Sequence, residues 1–190
     1  MTPAGVEAAY RHGVFPMADE ISGEVLWFRP DPRAIIPLDG FHVSRSLKRR
    51  LRLGGFEIRV DADFEDVMRA CGDRREGTWI SDDFIDVYGA LHRAGKAHSV
   101  EAWRDGRLVG GCYGVALGAA FMAESMFHRE TDASKVALTA LVSRLRERGF
   151  VLLDVQYVTP HLASLGAVEI SRREYERRLA AALKLECRFA

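Results

Sequence analysis

The dipeptide Asp105-Gly106 constrains what this chain can fold into more than any other feature. It stands between two strand-like runs, residues 97–103 and 107–111, and Asp-Gly in that setting favours a two-residue type I′ hairpin, whose turn positions both need positive φ. An antiparallel sheet therefore starts here. Ala119-Ala120-Phe121-Met122-Ala123 extends it. Gly110, Gly111, Gly114 and Gly118 mark bulges or places where a ligand or another backbone comes close, because glycine otherwise weakens a strand. A helix over 133–148 follows, with Val136, Ala137, Ala140, Leu141 and Leu145 on one stripe, Asp132 as cap and Gly149 as stop. The strand begun by Phe150-Val151-Leu152-Leu153 comes after that crossover helix and so adds in parallel. The predicted class is α+β, a mainly antiparallel mixed sheet flanked by helices.

Two polar interruptions stand out. Glu124 lies inside an apolar strand, where an unpaired buried carboxylate costs several kcal/mol, so it either turns outward or is held for a purpose. Asp154 and Gln156 end the next strand at i and i+2, on one face. These groups suit a cationic amine: carboxylates orient an ammonium and help carry its proton away, and an amide holds a carbonyl or amine without changing charge. The alternative is that Asp154 and Gln156 only satisfy buried backbone at a strand end.

The rest of the chain reads as support. A helix over 3–12 ends at Gly13, Val14-Phe15-Pro16 turns the chain, and residues 25–28 and 34–37 are extended. A helix over 44–53 stops at Gly54-Gly55, with Leu47, Leu51 and Leu53 inward and only positive charge outward. That face is either a solvated surface or, with Arg33, Arg45, Lys48, Arg49, Arg50 and Arg52, a patch for nucleic-acid phosphates. A strand over 56–60 and a helix over 63–70, with Phe64 and Val67 inward, precede a helix capped by Ser81 and ended by Gly95. Trp79 and Tyr88 are core aromatics or walls of a pocket. Thr159 caps a short helix, and residues 172–183 form the last one.

Several chemistries are excluded. Lys+Arg and Asp+Glu are each 27, so no global basic field exists and any RNA contact is local. Cys71, Cys112 and Cys187 form neither a disulfide framework nor a metal motif, and none of the six histidines sits in an HxxxH pair. No GxSxG elbow, phosphate loop or dinucleotide fingerprint is present. What remains is catalysis by positioning, with no metal and no cofactor. At 190 residues one main domain is expected, divided as a small subdomain over 1–54 and a catalytic domain over 55–190. No apolar run is long enough to span a bilayer, and the expected location is the cytoplasm.

Many short motifs in one order identify a family. Tyr10-Arg11-His12-Gly13-Val14-Phe15-Pro16, Trp27-Phe28-Arg29-Pro30-Asp31-Pro32-Arg33, His42-Val43-Ser44-Arg45-Ser46-Leu47, Gly77-Thr78-Trp79-Ile80, His98-Ser99-Val100-Glu101, Glu124-Ser125-Met126-Phe127, Asp154-Val155-Gln156 and Ser164-Leu165-Gly166-Ala167 together resemble the leucyl/phenylalanyl-tRNA protein transferases. The resemblance covers about residues 10–179. It implies transfer of leucine or phenylalanine from aminoacyl-tRNA to the N-terminal Arg or Lys of a protein, marking that protein for N-end rule degradation. It also implies an acetyltransferase-like (GNAT) catalytic domain, here with a shortened N-terminal subdomain; separately, a monomer is expected. Asp154, Gln156 and Glu124 match the residues facing the acceptor, and Trp79, Tyr88, Cys112, Phe121, Leu138, Leu141, Leu145 and Leu153 match the aminoacyl pocket. In that scheme Gln156 positions the amine and carbonyl, Asp154 fixes Gln156 or receives the amine's charge, and Glu124 pairs with the basic acceptor side chain.

Two rivals remain. An acyl-CoA N-acetyltransferase would want a glycine-rich pyrophosphate loop where this chain has Arg129-Glu130-Thr131-Asp132-Ala133-Ser134, with two acids that repel phosphate. A noncatalytic tRNA-binding module would use the 44–53 helix but has no need of Glu124, Asp154 and Gln156.

Overall fold

The computed structural model describes residues 1–19, 22–74 and 77–190. Helix α1 (Pro3–Arg11) starts at Thr2, whose hydroxyl accepts the Gly5 amide at 3.2 Å. Strands β1 (Phe15–Ala18) and β2 (Val25–Phe28) pair antiparallel as a separate ribbon. The predicted turn at Val14-Phe15-Pro16 is thus the start of a strand that runs through Pro16. A two-stranded ribbon is all edge, and there proline's missing N–H can face outward at no cost to the ladder.

Strand β3 (Arg33–Ile35) and helix α2 (Arg45–Leu53) follow, the helix capped by Ser44 Oγ on the Leu47 amide at 3.2 Å. Strand β4 (Glu57–Val60) and helices α3 (Phe64–Gly72) and α4 (Asp82–Arg93) lead into the antiparallel run β5 (Ala97–Arg104), β6 (Arg107–Leu117) and β7 (Ala120–His128). The hairpin forms as expected, with Asp105 at φ 50° and Gly106 at φ 71°. Helix α5 (Ala133–Glu147) crosses to β8 (Leu152–Gln156), and α6 (Pro160–Ser164), β9 (Val168–Ile170) and α7 (Arg172–Ala182) complete the chain.

Seven strands make one sheet in the order β4-β5-β6-β7-β8-β3-β9. Neighbours are antiparallel except β7 and β8, the parallel addition that the crossover helix demanded. Strand β3 inserts between β8 and β9, so the 1–54 stretch supplies a strand of the main sheet. The pleat divides the core in two: Met122 and Leu152 face a layer built with α1, α3, α4 and α7, while Phe121 and Leu153 face α5. Gly110 lets α5 begin so close to the sheet, since a Cβ there would lie 2.5 Å from the Ala133 Cβ.

Some expected details differ. Ser81 and Asp132 occupy the positions before α4 and α5, but neither side chain makes a capping bond. Asp132 instead pairs with Lys135 at 3.1 Å. On α2 only Leu47 is buried, and Leu51 and Leu53 are 38% and 68% exposed, because the helix meets the body along one narrow line. No helix among the described residues is long and apolar enough to cross a membrane.

Candidate active site

Strands β6 and β7 pair in step from Leu117 and Ala120 up to Gly114 and Ala123, and then slip, so that Tyr113 pairs with Ser125. Glu124 is the extra residue of a β-bulge, a device that re-aims a side chain. Gly114 stands opposite, and a Cβ there would press on the Met122 carbonyl oxygen and lie 2.5 Å from Phe121 Cε1. That glycine is therefore what permits the bulge. On its other side β7 pairs with β8 only from Ala120–Leu152 to Met122–Asp154. Beyond that point the two strands no longer bond each other, and a cavity of about 470 Å³ lies there, lined by Glu124 and Gln156 together with Trp79, Cys112, Met126 and Leu138.

The end of β8 is locked from behind. Asp154 is fully buried and accepts Arg33 Nε at 2.9 Å and Nη2 at 2.6 Å, one guanidinium nitrogen to each oxygen. Tyr175 donates its hydroxyl to the same carboxylate at 2.8 Å, and the Gln156 amide N–H donates to Oδ1 at 3.0 Å. Arg33 lies 4.6 Å from the ring centres of both Phe15 and Tyr175 and donates Nη1 to the Gly13 carbonyl at 3.1 Å. Burial opposes its charge, but the Asp154 bonds outweigh that and raise its pKa above the ordinary value. Gln156 has φ 59°, a left-handed conformation unusual for a residue with a side chain, and the Asp154 bond to its amide helps hold it there.

Glu124 is treated differently. Gln156 Nε2 donates to its Oε1 at 3.2 Å, and the hydroxyls of Tyr10 and Tyr88, hydrogen-bonded to each other at 2.5 Å, lie beside it from the helix layer. Burial pushes its carboxyl up to about 8, and the nearby negative charge of Asp154 adds to this, while the Tyr10 and Tyr88 hydroxyls and the charge of Arg33 pull the other way. Arg33 is already committed to Asp154. Glu124 thus has the Gln156 side-chain amide as donor but no ion-pair partner among the described residues, and it borders a cavity.

The predicted residues divide accordingly. Glu124, Asp154 and Gln156 come together as their spacing implied, although Asp154 faces inward to Arg33 and not into the cavity. Of the predicted pocket, Trp79, Cys112 and Leu138 line the cavity. Phe121, Leu141, Leu145 and Leu153 are at most 1% exposed and lie in the core around α5, behind the wall. Tyr88 acts through its hydroxyl beside Glu124. Arg33 is a correction: at 1% exposure it cannot meet a phosphate, and only Arg45, Lys48, Arg49, Arg50 and Arg52 remain on the α2 face. Sequence reasoning missed Tyr10 and Tyr175 as partners of the two carboxylates, and Phe15, Met17, Arg74 and His161 as cavity residues. Tyr10, Phe15, Met17 and Tyr175 come from elements distant in the chain, which no local pattern announces, whereas Arg74 and His161 each lie five residues from a predicted site residue.

Among the described residues one group is spaced for a metal, Asp61, His92 and His98, whose ligand atoms lie within 4.8 Å of one another. Three of its four ring nitrogens are already engaged: His98 Nδ1 meets Asp61 at 2.7 Å, His98 Nε2 meets the Gly95 carbonyl at 3.2 Å, and His92 Nδ1 meets the Ala97 carbonyl at 2.9 Å. This cluster ties the start of β5 to the loop after β4.

Comparison with known proteins decides the family. Residues 35–180 match the leucyl/phenylalanyl-tRNA protein transferase family, and residues 1–31 match its N-terminal domain. The chain belongs to the leucyl/phenylalanyl-tRNA protein transferases. The relative bearing that name from Rubrobacter xylanophilus is 57% identical over the whole chain and 99% of its own length. Those from Herpetosiphon aurantiacus and Gloeobacter violaceus are 54% and 52% identical, again over the whole chain and 98% and 97% of theirs. As a member of this family the chain is an aminoacyltransferase, which agrees with a site built for positioning and charge placement.

Proposed function

We propose that this transferase moves leucine or phenylalanine from aminoacyl-tRNA onto the α-amine of an N-terminal Arg or Lys, forming a peptide bond and marking the acceptor for N-degron degradation. The observation that carries the reading is Glu124, a carboxyl group held by Gln156, without an ion-pair partner among the described residues, at the lip of a partly apolar cavity. The donor side chain enters between Trp79, Cys112, Met126 and Leu138, and the acceptor approaches across Glu124 and Gln156. Such a pocket excludes polar side chains well but separates leucine from phenylalanine or methionine by only about 1–3 kcal/mol.

The acceptor amine, in its neutral form, attacks the ester carbonyl; the C–N bond forms as the bond to the tRNA ribose oxygen breaks, and the proton lost by the amine ends on that departing oxygen. An ester is already activated, so alignment and charge placement suffice and no cofactor is needed. Gln156 positions amine and carbonyl, and Asp154 keeps Gln156 in place by accepting its amide. Glu124 pairs with the cationic side chain of the acceptor. Because its carboxyl is pushed up to about 8, that pairing requires loss of a proton at neutral pH, so acceptor binding tightens as pH rises toward 8.

The fold reading is the acetyltransferase-like (GNAT) arrangement, supported by the antiparallel run, crossover helix and parallel strand. The 1–54 stretch serves as a small N-terminal subdomain lent to the 55–190 catalytic domain, and the α2 arginines and Lys48 meet tRNA phosphates. The protein acts as a monomer in the cytoplasm. Label transferred from leucyl-tRNA to a model protein with N-terminal Arg tests the reading, beside Gln156→Ala. Transfer by the wild type that the variant loses supports it, and tRNA binding without transfer would leave a noncatalytic RNA-binding module.

A further inference from the structure

A second concavity, of about 520 Å³, lies at the opposite end of β7 from the α5–β8 crossover, between α2, the β5–β6 hairpin and the turn before α5. Arg50, Arg104, Arg129, Glu130, Thr131 and Asp132 line it. From sequence its two acids argued against phosphate, but both are neutralised in place. Glu130 is ion-paired with Arg104, and Asp132 with Lys135 at 3.1 Å. Arg50 and Arg129 have no carboxylate partner among the described residues.

The arginines are also held in position. Arg50 and Arg104 both rest on the ring of Phe56, at 4.5 and 4.1 Å from its centre, and Arg104 donates Nε to the Gly55 carbonyl at 2.8 Å. Arg129 packs over Phe127 at 5.4 Å and donates Nη1 to the Leu108 carbonyl at 3.1 Å. Arg104 already has Glu130 as counter-ion, whereas Arg50 and Arg129 present guanidinium forks with no carboxylate partner among the described residues, and such forks match phosphate oxygens. Arg50 belongs both to this concavity and to the cationic face of α2, so the two surfaces are continuous. Arg129 follows the last residue of β7 and stands five residues from Glu124, at most roughly 17 Å at about 3.3 Å per residue. That separation is within reach of the single-stranded 3′ end of a donor whose ester sits at Glu124.

We infer that this concavity is a phosphate subsite that holds a backbone phosphodiester of the tRNA donor near its aminoacylated end. The inference rests on the proposed transferase reading for the identity of the donor. The subsite gives the donor a second point of attachment beyond the reacting ester and so fixes its direction across the sheet.

The test is a salt series with wild type, Arg129→Gln and the charge-preserving Arg129→Lys. Arg129 is exposed, so the variants should fold, and unfolding curves check this. Each protein is assayed for kcat/KM with leucyl-tRNA and for binding of uncharged tRNA. Losing one phosphate contact lowers the slope of log affinity against log salt by about 0.7–0.9. The inference expects that drop in Arg129→Gln in both measurements, with the slope retained in Arg129→Lys and the wild-type and Gln lines converging at high salt. An unchanged slope, or a loss equal at every salt concentration, overturns it. Calorimetric titration with inorganic phosphate and pyrophosphate at constant ionic strength separates the other source: tight binding by wild type alone, with an unchanged tRNA slope, would assign the subsite to a free phosphate compound and overturn the RNA assignment. If the wild type binds tRNA but transfers nothing, the transferase reading fails while the binding series still decides the subsite.

Discussion

Glu101 and Glu124 are both glutamates set within strands of one sheet, on β5 and β7, yet their surroundings have opposite character. Glu101 is fully buried and complemented on every side: it accepts the Ala62 and Asp63 amides at 3.0 Å each, Ser99 Oγ at 2.7 Å and Trp103 Nε1 at 2.8 Å. It fastens the loop after β4 to the sheet and borders no cavity described above. Glu124 sits at a bulge, has Gln156 and two tyrosine hydroxyls for company, and faces open space. Asp154 belongs with Glu101, since Arg33, Tyr175 and the Gln156 amide use both its oxygens. Burial of a carboxylate therefore does not mark a site by itself. What marks it is a half-buried carboxyl group whose complement is incomplete on the side where a ligand can enter.

The largest expected effect belongs to Arg33→Ala. It strands Asp154 as a buried, unpaired charge, which should cost about 3–5 kcal/mol in denaturant unfolding, and transfer should fail with it because Gln156 loses its anchor. A stable, active Arg33→Ala would remove Asp154 from the scaffold group. Next comes Gln156→Ala. Its kcat/KM for transfer should fall about 10²–10³-fold with a stability change near 1 kcal/mol, the effect of a positioned donor lost from a reacting centre.

Glu101→Gln sharpens the contrast from the other side. An amide presents one oxygen where the carboxylate accepts four donors, so stability should drop by about 2 kcal/mol while kcat/KM per folded molecule holds. A tenfold fall in kcat/KM without loss of stability would break the distinction between the two glutamates.

The last test reads Glu124→Gln as a function of pH. The folded carboxyl is raised to about 8 from an ordinary value near 4.5, so its contribution to stability is fully present below about 4.5 and is lost as pH rises through about 8. Wild type should lose stability relative to Glu124→Gln between pH 5 and 9, and a difference that stays flat would mean the carboxyl is not raised. In the same interval the wild-type KM for an N-terminal Arg acceptor should fall with rising pH, and the variant should lack that trend. Reading KM separately from kcat matters, because the acceptor α-amine itself titrates at about 7.7–8.0.

Much of the architecture was legible because it is local. The Asp105-Gly106 turn, the Thr159 cap and the glycine stops act within a few residues, and the parallel β7–β8 pair follows from a crossover helix of one preferred hand. Strand β1 was misread because proline usually breaks strands, a rule that a two-stranded ribbon escapes. The exposure of Leu51 and Leu53 was misread because periodicity says which residues share a face, not how much of that face is covered.

The sequence by itself determined the chemistry available: an odd carboxylate in an apolar strand, an Asp and a Gln at i and i+2, a glycine where β7 must kink, and motifs dense enough to name the family. Only the tertiary structure decided how those groups are used. It sent Arg33 inward to neutralise Asp154, brought Tyr10 and Tyr88 to Glu124, left Phe121, Leu141, Leu145 and Leu153 behind the cavity wall, and neutralised Glu130 and Asp132 so that the arginines around them face an open concavity. The reason is the range of the forces. Turn, cap and strand preferences are set by neighbours in the chain, whereas a charge is satisfied or left wanting by whatever folding carries next to it.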